Sequence, residues 1–178
     1  MPINDYETQL TGGHPNSLGN TILVVEDVLT DERKLAELFA CYDSADEVVR
    51  LRVSNAMKRV CKVRPEWVAK YLDELISRTS KINQASTKWT LSTLFLWLEG
   101  YMTPAQRAAA VKIMQSNLAY DDWIVQNTTS EALTHFARTN EELKIWLVPE
   151  LKKLTMSRHK SVGRRAVKLL ADLEEKRS

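Results

Sequence analysis

The sequence is poor in cysteine, glycine and proline. Its 178 residues include two cysteines, five glycines and five prolines. A fold held by disulfides would need more cysteine, so Cys41 and Cys61 are expected to be buried thiols. Glycine and proline interrupt helices, and most of them lie between segments of helical periodicity. Their scarcity therefore favours long, clearly separated helices.

The sequence also lacks a long hydrophobic run. The longest apolar stretches, such as that at positions 94–98, are far shorter than the roughly 18 residues of a membrane-spanning helix. No association with a membrane is expected. Residues 1–7 contain two acidic side chains and no apolar core of a secretory signal. These features favour a cytoplasmic protein.

Side chains that carry catalysis or bind metals are few. His14, His135 and His159 share no zinc-like spacing with either cysteine. No glycine-rich phosphate loop, nucleophile elbow or catalytic triad can be identified. The most site-like cluster, Asp-Asp-Trp at residues 121–123, also fits a helix N-cap followed by a core tryptophan. We therefore expect no catalytic residue, no metal and no cofactor, and hence a protein that is not an enzyme.

What the sequence contains is a helical hydrophobic pattern that recurs. In residues 49–60, apolar side chains stand at i, i+4, i+7, i+8 and i+11, which is one face of an α-helix. Shifts of 38, 38 and 37 residues reach similar side chains. Eighteen of the twenty positions are apolar and two are threonine: Val49, Val53, Ala56, Met57, Val60, Thr87, Leu91, Leu94, Phe95, Leu98, Val125, Thr129, Ala132, Leu133, Phe136, Val162, Ala166, Leu169, Leu170 and Leu173. The pattern predicts an all-α repeat fold.

A shorter amphipathic helix is predicted before each of these four helices. Pro65 and Pro104 stand near the first turn of two of them, and Thr103 is expected to cap one. The predicted pairs cover about residues 31–63, 65–99, 103–138 and 140–174. Residues 17–29 are predicted to form an N-terminal capping helix. The predicted organisation is a flexible N-terminal arm at 1–16 and a single domain at 17–178.

The paired helices resemble those of the HEAT/armadillo-like superfamily. The resemblance rests on an Asp-x-x-Val-Arg entry at residues 46–50, Ala-Met at 56–57, Pro-Glu-Trp at 65–67 and Lys-Ser-Val at 160–162. Residues 31–71 are similar to small bacterial HEAT-repeat proteins of unassigned function. The resemblance covers residues 17–173 and implies a right-handed α-α superhelix, or solenoid, of about four HEAT-type helix pairs.

The superfamily resemblance also implies which surfaces matter. The second helix of each pair would line the concave face. An arginine of that helix would pair with acids of the turns, as Arg50 would with Asp46. The equivalent positions hold Lys88, Gln126 and Gly163, which breaks a continuous ladder.

The predicted binding surface is the face opposite each core stripe of these second helices. It combines an apolar centre with basic ends, and its residues are Lys58, Lys62, Trp89, Thr93, Leu96, Asn127, Arg138, Arg164 and Lys168. Trp89 and Leu96 could equally pack between neighbouring repeats. Charge is uneven along the chain: residues 1–49 hold two basic and ten acidic residues, a net charge of −8, and residues 50–178 carry +10.

These features favour a non-catalytic scaffold that binds a protein or peptide partner, in part acidic, on its concave face. The alternative is nucleic-acid binding through the same basic residues. The superfamily contains alkylpurine DNA glycosylases, in which Trp89, Trp123 and Arg164 would hold a damaged nucleotide, and also bilin lyases. Partner identity, pathway and oligomeric state stay open.

Overall fold

The computed structural model describes residues 5–175, and this part of the chain is all-helical. The α-helices are α1 (Tyr6–Leu10), α2 (Thr21–Val28), α3 (Lys34–Ala40), α4 (Glu47–Val63), α5 (Pro65–Ala69), α6 (Leu72–Ser77), α7 (Ala85–Trp97), α8 (Pro104–Leu118), α9 (Trp123–Ala137), α10 (Glu141–Leu154) and α11 (Lys160–Glu175). Short 3-10 turns lie at Cys41–Asp43, Thr79–Lys81 and Glu99–Tyr101. The described residues contain no strand, which confirms the all-α prediction.

The hydrophobic pattern of the sequence coincides with the core. Nineteen of the twenty positions lie in α4, α7, α9 and α11, and Leu98 directly follows α7. Every one of them is buried except Leu170, which is partly buried. Burial of these apolar side chains is the main term that stabilises the helices, because isolated helices of this length are marginal in water.

Side-chain caps fix where several helices begin. Thr103 and Gln106 form a reciprocal capping box ahead of Pro104, as the sequence predicts for Thr103. Asp122 accepts hydrogen bonds from the backbone N–H groups of Ile124 at 2.8 Å and Val125 at 2.9 Å. Each cap satisfies N–H groups that have no partner within their own helix.

Two helices differ from their predicted lengths. The helix expected to start at Pro65 is divided into α5 and α6. The break coincides with Tyr71, whose ring packs against Phe39 with centroids 4.7 Å apart. The capping helix expected at 17–29 is α2 and is shorter at both ends.

Five helices form a row in which each contacts the next: α2, α4, α7, α9 and α11. Of the others, α5 packs on α4, α8 on α9, and α10 on both α9 and α11. Several side-chain bonds join residues 35 to 38 positions apart, close to the spacing of the hydrophobic pattern. They are Lys70–Glu32, Arg78–Asp43, Arg158–Asp121 and Ser92–Thr129.

The expectation of a flexible arm at 1–16 needs correction for residues 5–16, while residues 1–4 lie outside the described part. Tyr6 and Leu10 of α1 are 1% and 0% exposed and belong to the hydrophobic core. The Tyr6 hydroxyl also donates to Asp27 Oδ2 at 2.6 Å. Two large apolar side chains inserted into the core tie this segment to the domain.

The loop between α1 and α2 is held by a buried arginine. Arg52 of α4 is 1% exposed. Its guanidinium donates to the carbonyl oxygens of Leu10 at 2.7 Å, Gly12 at 2.6 Å, Ser17 at 3.2 Å and His14 at 3.3 Å. These acceptors replace the water that a buried charge loses. No pattern in the sequence indicates this role for Arg52.

Gly19 explains why the loop can approach this arginine so closely. Its φ of +51° is a conformation that side chains disfavour. A Cβ at this position would lie 2.9 Å from the guanidinium carbon of Arg52. The chain from Leu10 to Thr21 therefore depends on glycine to wrap around one buried cation.

Candidate functional site

A groove of about 560 Å³ lies between α2, α4 and α7. We call it the N-terminal groove. Its lining residues are Ile22, Val25, Glu26, Asn55, Lys58, Arg59, Lys62, Val63, Thr93 and Trp97. The volume is in the range of sites that take a small ligand or part of a peptide.

The lining of the N-terminal groove is mainly basic. Lys58, Arg59 and Lys62 lie within five residues of α4, and Glu26 is the single acid in the lining. Within residues 5–175, none of the three cations forms an ion pair. The Nε of Arg59 donates to Asn55 Oδ1 at 2.7 Å, and the Lys62 Nζ lies 5.4 Å from the centroid of the Trp97 ring. The groove therefore carries excess positive charge.

The electrostatics of Lys58 reflect this crowding. Burial lowers the pKa of Lys58 below its ordinary value, and the positive charges of Arg59 and Lys62 lower it further. A base whose pKa is lowered in this way is destabilised in its charged form. An anion placed between these three side chains would relieve that destabilisation.

Apolar side chains at the rim of the same groove are exposed. The exposed fractions are 57% for Val63, 38% for Trp97 and 37% for Ile22. Exposed apolar surface beside unpaired cations is a combination found at binding surfaces. A ligand that matches the groove has both an apolar part and a negative charge.

A second groove of about 300 Å³ lies between α7, α9 and α11. We call it the C-terminal groove. It is lined by Leu96, Glu131, Thr134, His135, Arg138, Arg165, Lys168, Leu169 and Asp172. Its charges are more balanced, because Glu131 and Asp172 stand among the three cations.

Some charged residues of the C-terminal groove already form ion pairs within the protein. Arg165 is paired with Glu131 across α11 and α9. His135 Nε2 lies 2.5 Å from Glu99 Oε2, and Glu99 also pairs with Arg107 of α8. The C-terminal groove is therefore internally compensated in a way that the N-terminal groove is not.

The predicted binding residues divide between these two grooves. Lys58, Lys62 and Thr93 line the N-terminal groove. Leu96, Arg138 and Lys168 line the C-terminal groove. The predicted single surface with an apolar centre thus needs correction. Thr93 and Leu96 are three residues apart on α7, and they line grooves on either side of that helix.

Three predicted residues lie in neither groove. Trp89 is partly buried and does not contribute to either lining. Asn127 is buried, and its Nδ2 donates to Ser161 Oγ at 3.4 Å. Arg164 is exposed on another part of α11. Trp97, rather than Trp89, is therefore the tryptophan that lies beside the basic residues of the N-terminal groove.

The sequence contains a signal for Trp97. Trp97 follows Thr93 by four residues, one turn along the same face of α7. Arg59 bears the same relation to Asn55 on α4. No periodicity in the sequence, however, specifies that α2 completes the groove with Ile22.

Two further expectations need correction. Arg50 does not pair with Asp46 in the described structure: it donates to Gln84 Oε1 at 2.8 Å and to the Ser44 carbonyl at 2.6 Å, while Asp46 caps α4. The Asp46 carboxylate instead accepts a hydrogen bond from the backbone N–H of Val48 in the first turn of α4. Trp123 is 49% exposed, so the core position expected for it is wrong, whereas Asp122 is the expected N-cap.

Other chemistry can be placed directly. Burial raises the pKa of the Cys41 and Cys61 thiols to about 11, and for Cys41 the carboxylates of Glu7, Asp5 and Glu37 add to the effect. Thiols of such high pKa are poor nucleophiles at neutral pH. Residues 5–175 hold no group of three or more His, Cys, Asp or Glu side chains arranged to bind a metal. No helix in this range is long and apolar enough to cross a bilayer.

No protein-family model matches the chain, and neither a curated protein nor a solved structure matches it significantly.

Proposed function

We propose that this chain is a HEAT-type helical-repeat scaffold that binds a partly acidic protein or peptide, and that it is not an enzyme. The observation that carries the proposal is the N-terminal groove, where Lys58, Arg59 and Lys62 stand beside exposed apolar side chains without an ion-pair partner among residues 5–175. A glutamate- or aspartate-bearing segment with one apolar anchor matches this lining.

The proposal includes a right-handed solenoid of four helix pairs in the domain from residue 17 onward. Its support is the row α2, α4, α7, α9 and α11, in which each helix contacts the next. The side-chain hydrogen bonds between residues 35 to 38 positions apart also support the solenoid, because stacked repeats of that length bring such residues together. In this arrangement α4, α7, α9 and α11 are the second helices of their pairs, and they line the grooves together with the capping helix α2.

The apolar and the basic residues of the N-terminal groove would contribute differently to the proposed complex. Burial of Trp97 and Val63 against an apolar side chain would supply most of the affinity, as aromatic anchors do at interfaces. The three cations would set orientation and the rate of association. The relief of repulsion at Lys58 would favour a partner with a carboxylate over a neutral one.

The test is affinity purification from cells of the source organism with three forms of the protein. They are the native chain, Lys58→Glu/Lys62→Glu, and the control Lys81→Glu/Lys152→Glu. Both control lysines are exposed and line neither groove. We expect a defined protein partner to be retained by the native chain and the control and lost with the groove variant. Retention of the same proteins by all three forms would contradict the proposal.

The nucleic-acid alternative is tested on the same proteins. A fluorescent single-stranded oligonucleotide and a duplex would be titrated at low and high salt. Binding that is lost with Lys58→Glu/Lys62→Glu and falls steeply with salt, through counterion release, would favour that alternative. We expect only weak retention, because the cations are confined to separate grooves and the C-terminal groove contains two carboxylates.

A further inference from the structure

The row of helices ends on two helices that each have an open flank. Helices α4, α7 and α9 pack between two members of the row. At the ends of the row, α2 packs against α4 and α11 packs against α9. The flank of each end helix that faces away from its buried side is therefore not covered by another row member.

The open flank of α2 is apolar and acidic. The core-facing residues of this helix are Thr21, Val24, Val25 and Val28. On a helix of 100° per residue, Leu23 and Glu26 fall on the opposite side. Leu23 is 62% exposed and lies one helical turn from the Glu26 carboxylate.

The open flank of α11 is apolar and basic. Its core-facing residues include Val162, Ala166, Leu169 and Leu173. The opposite side carries Arg164, Val167, Lys168 and Ala171, all of them exposed. Val167 is 58% exposed. Arg164 and Val167 also line a shallow depression of about 400 Å³ together with Lys160.

The two flanks are complementary in charge and in apolar content. Glu26, Arg164 and Lys168 form no ion pair within the described residues. Residues 1–49, which hold α2, carry a net charge of −8, and residues 151–171 contain seven basic side chains and no acid. We propose that the open flank of α11 takes the open flank of α2 from a second copy of this chain, so that copies associate head to tail.

In this contact Leu23 of one copy packs against Val167 of the next, and Glu26 lies between Arg164 and Lys168. The two flanks are different surfaces, so the contact is heterologous and each copy keeps one free end after it forms. Glu26 also lines the N-terminal groove and Lys168 also lines the C-terminal groove, but the inference does not rest on the function of either groove. A contact of one short helix with one flank is small, so the association is weak and sensitive to salt.

Sedimentation equilibrium and light scattering at rising protein concentration test this proposal. We expect the average mass of the native chain to rise with concentration at low salt and to fall back at high salt. Leu23→Glu and Val167→Glu should each weaken the association by at least about tenfold, since each buries a charge against an apolar side chain. Both positions are exposed, so both variants keep the fold. Tyr101→Glu, at a residue 49% exposed outside both flanks, is the control and should associate normally.

The decisive measurement is a mixture of the two variants. Leu23→Glu retains an intact α11 flank and Val167→Glu retains an intact α2 flank. An equimolar mixture should therefore form a dimer that neither variant forms alone, and that dimer should not extend further. The proposal is overturned if the native chain stays monomeric at millimolar concentration and low salt. It is equally overturned if the two variants associate like the native chain, or if their mixture forms no dimer.

Discussion

The N-terminal and C-terminal grooves are built from similar parts and differ in what surrounds them. Each is bordered by a long helix that carries two basic residues one turn apart, Lys58 and Lys62 on α4 and Arg164 and Lys168 on α11. In the N-terminal groove both lysines face one space together with Trp97. On α11, only Lys168 lines the C-terminal groove, where Glu131 and Asp172 also stand.

The comparison shows that the spacing of basic residues does not determine a binding surface. Carboxylates supplied by neighbouring helices decide whether the cations stay available. Helix α9 contributes Glu131 to pair with Arg165, whereas α7 contributes Thr93 and Trp97, which carry no charge, to the N-terminal groove. A pair of basic residues one turn apart therefore lies beside a groove with excess positive charge on α4, and beside a groove whose charge is balanced by carboxylates on α11.

The largest expected effect is on the buried side of α7, the helix that borders both grooves. Phe95 of α7 is 0% exposed. Phe95→Ala should cost about 3–5 kcal/mol of stability through lost burial and the cavity left behind. Chemical denaturation would measure it. Lys112→Ala, at an exposed residue of α8, should change stability by less than about 0.5 kcal/mol. Equal effects of the two would contradict the assigned core.

The next effect concerns the N-terminal region alone. Arg52→Ala removes the donors for four backbone carbonyls and should cost about 2–3 kcal/mol, because the carbonyls in the exposed loop regain water in part. Hydrogen exchange should quicken in residues 10–28 and stay unchanged in α9 and α11. Arg59→Ala, an exposed arginine of the same helix, is the matched control. Uniform quickening along the chain would show that the loop is not a separate unit.

A smaller effect tests which tryptophan matters for binding. Trp97→Ala should weaken the binding of the partner by about 2 kcal/mol. Trp89 and Leu96 line no part of the N-terminal groove, so Trp89→Ala and Leu96→Ala should each change the affinity by less than about 0.5 kcal/mol. Isothermal titration with the isolated partner measures this. A larger loss for Trp89→Ala would restore the single-surface interpretation of the sequence.

The smallest effect is a gain in stability. Lys58 has a lowered pKa because it is buried next to two cations. Lys58→Met should therefore raise the free energy of unfolding at neutral pH by about 0.5–1 kcal/mol and lower the affinity for the partner. Lys168→Met, at an exposed position of the C-terminal groove, should leave stability unchanged.

The pH dependence of this gain follows from its sign. A lysine with a lowered pKa in the folded state destabilises the fold while it is charged, and this penalty disappears as the pH rises through the folded pKa. The stability advantage of Lys58→Met should therefore narrow above that pKa, toward the ordinary pKa of lysine. Thermal unfolding of both proteins at neutral and alkaline pH compares them. An advantage that is constant with pH would assign the effect to packing rather than to charge.

The core could be predicted closely from the sequence. The helical spacing in α4, α7, α9 and α11 identified buried positions, because a helix that buries one face must repeat apolar residues with its own period. Helix starts were also readable at Thr103 and Asn140, since caps are local chemistry. The arrangement of the predicted binding residues was not readable in this way. The structure brings Lys58, Lys62 and Thr93 together in one groove, and Trp97 rather than Trp89 lines it with them.

The sequence by itself determined that the chain is helical, which faces of its long helices are buried and that basic residues collect on α4 and α11. These properties depend on residues within a few turns of one another. Tertiary structure decided the remainder: that Tyr6 and Leu10 join the core, that Arg52 holds the loop before α2, and that α7 separates two grooves. The physical reason is that burial and ion pairing depend on side chains from helices distant in sequence, whose relative rotation no local spacing records.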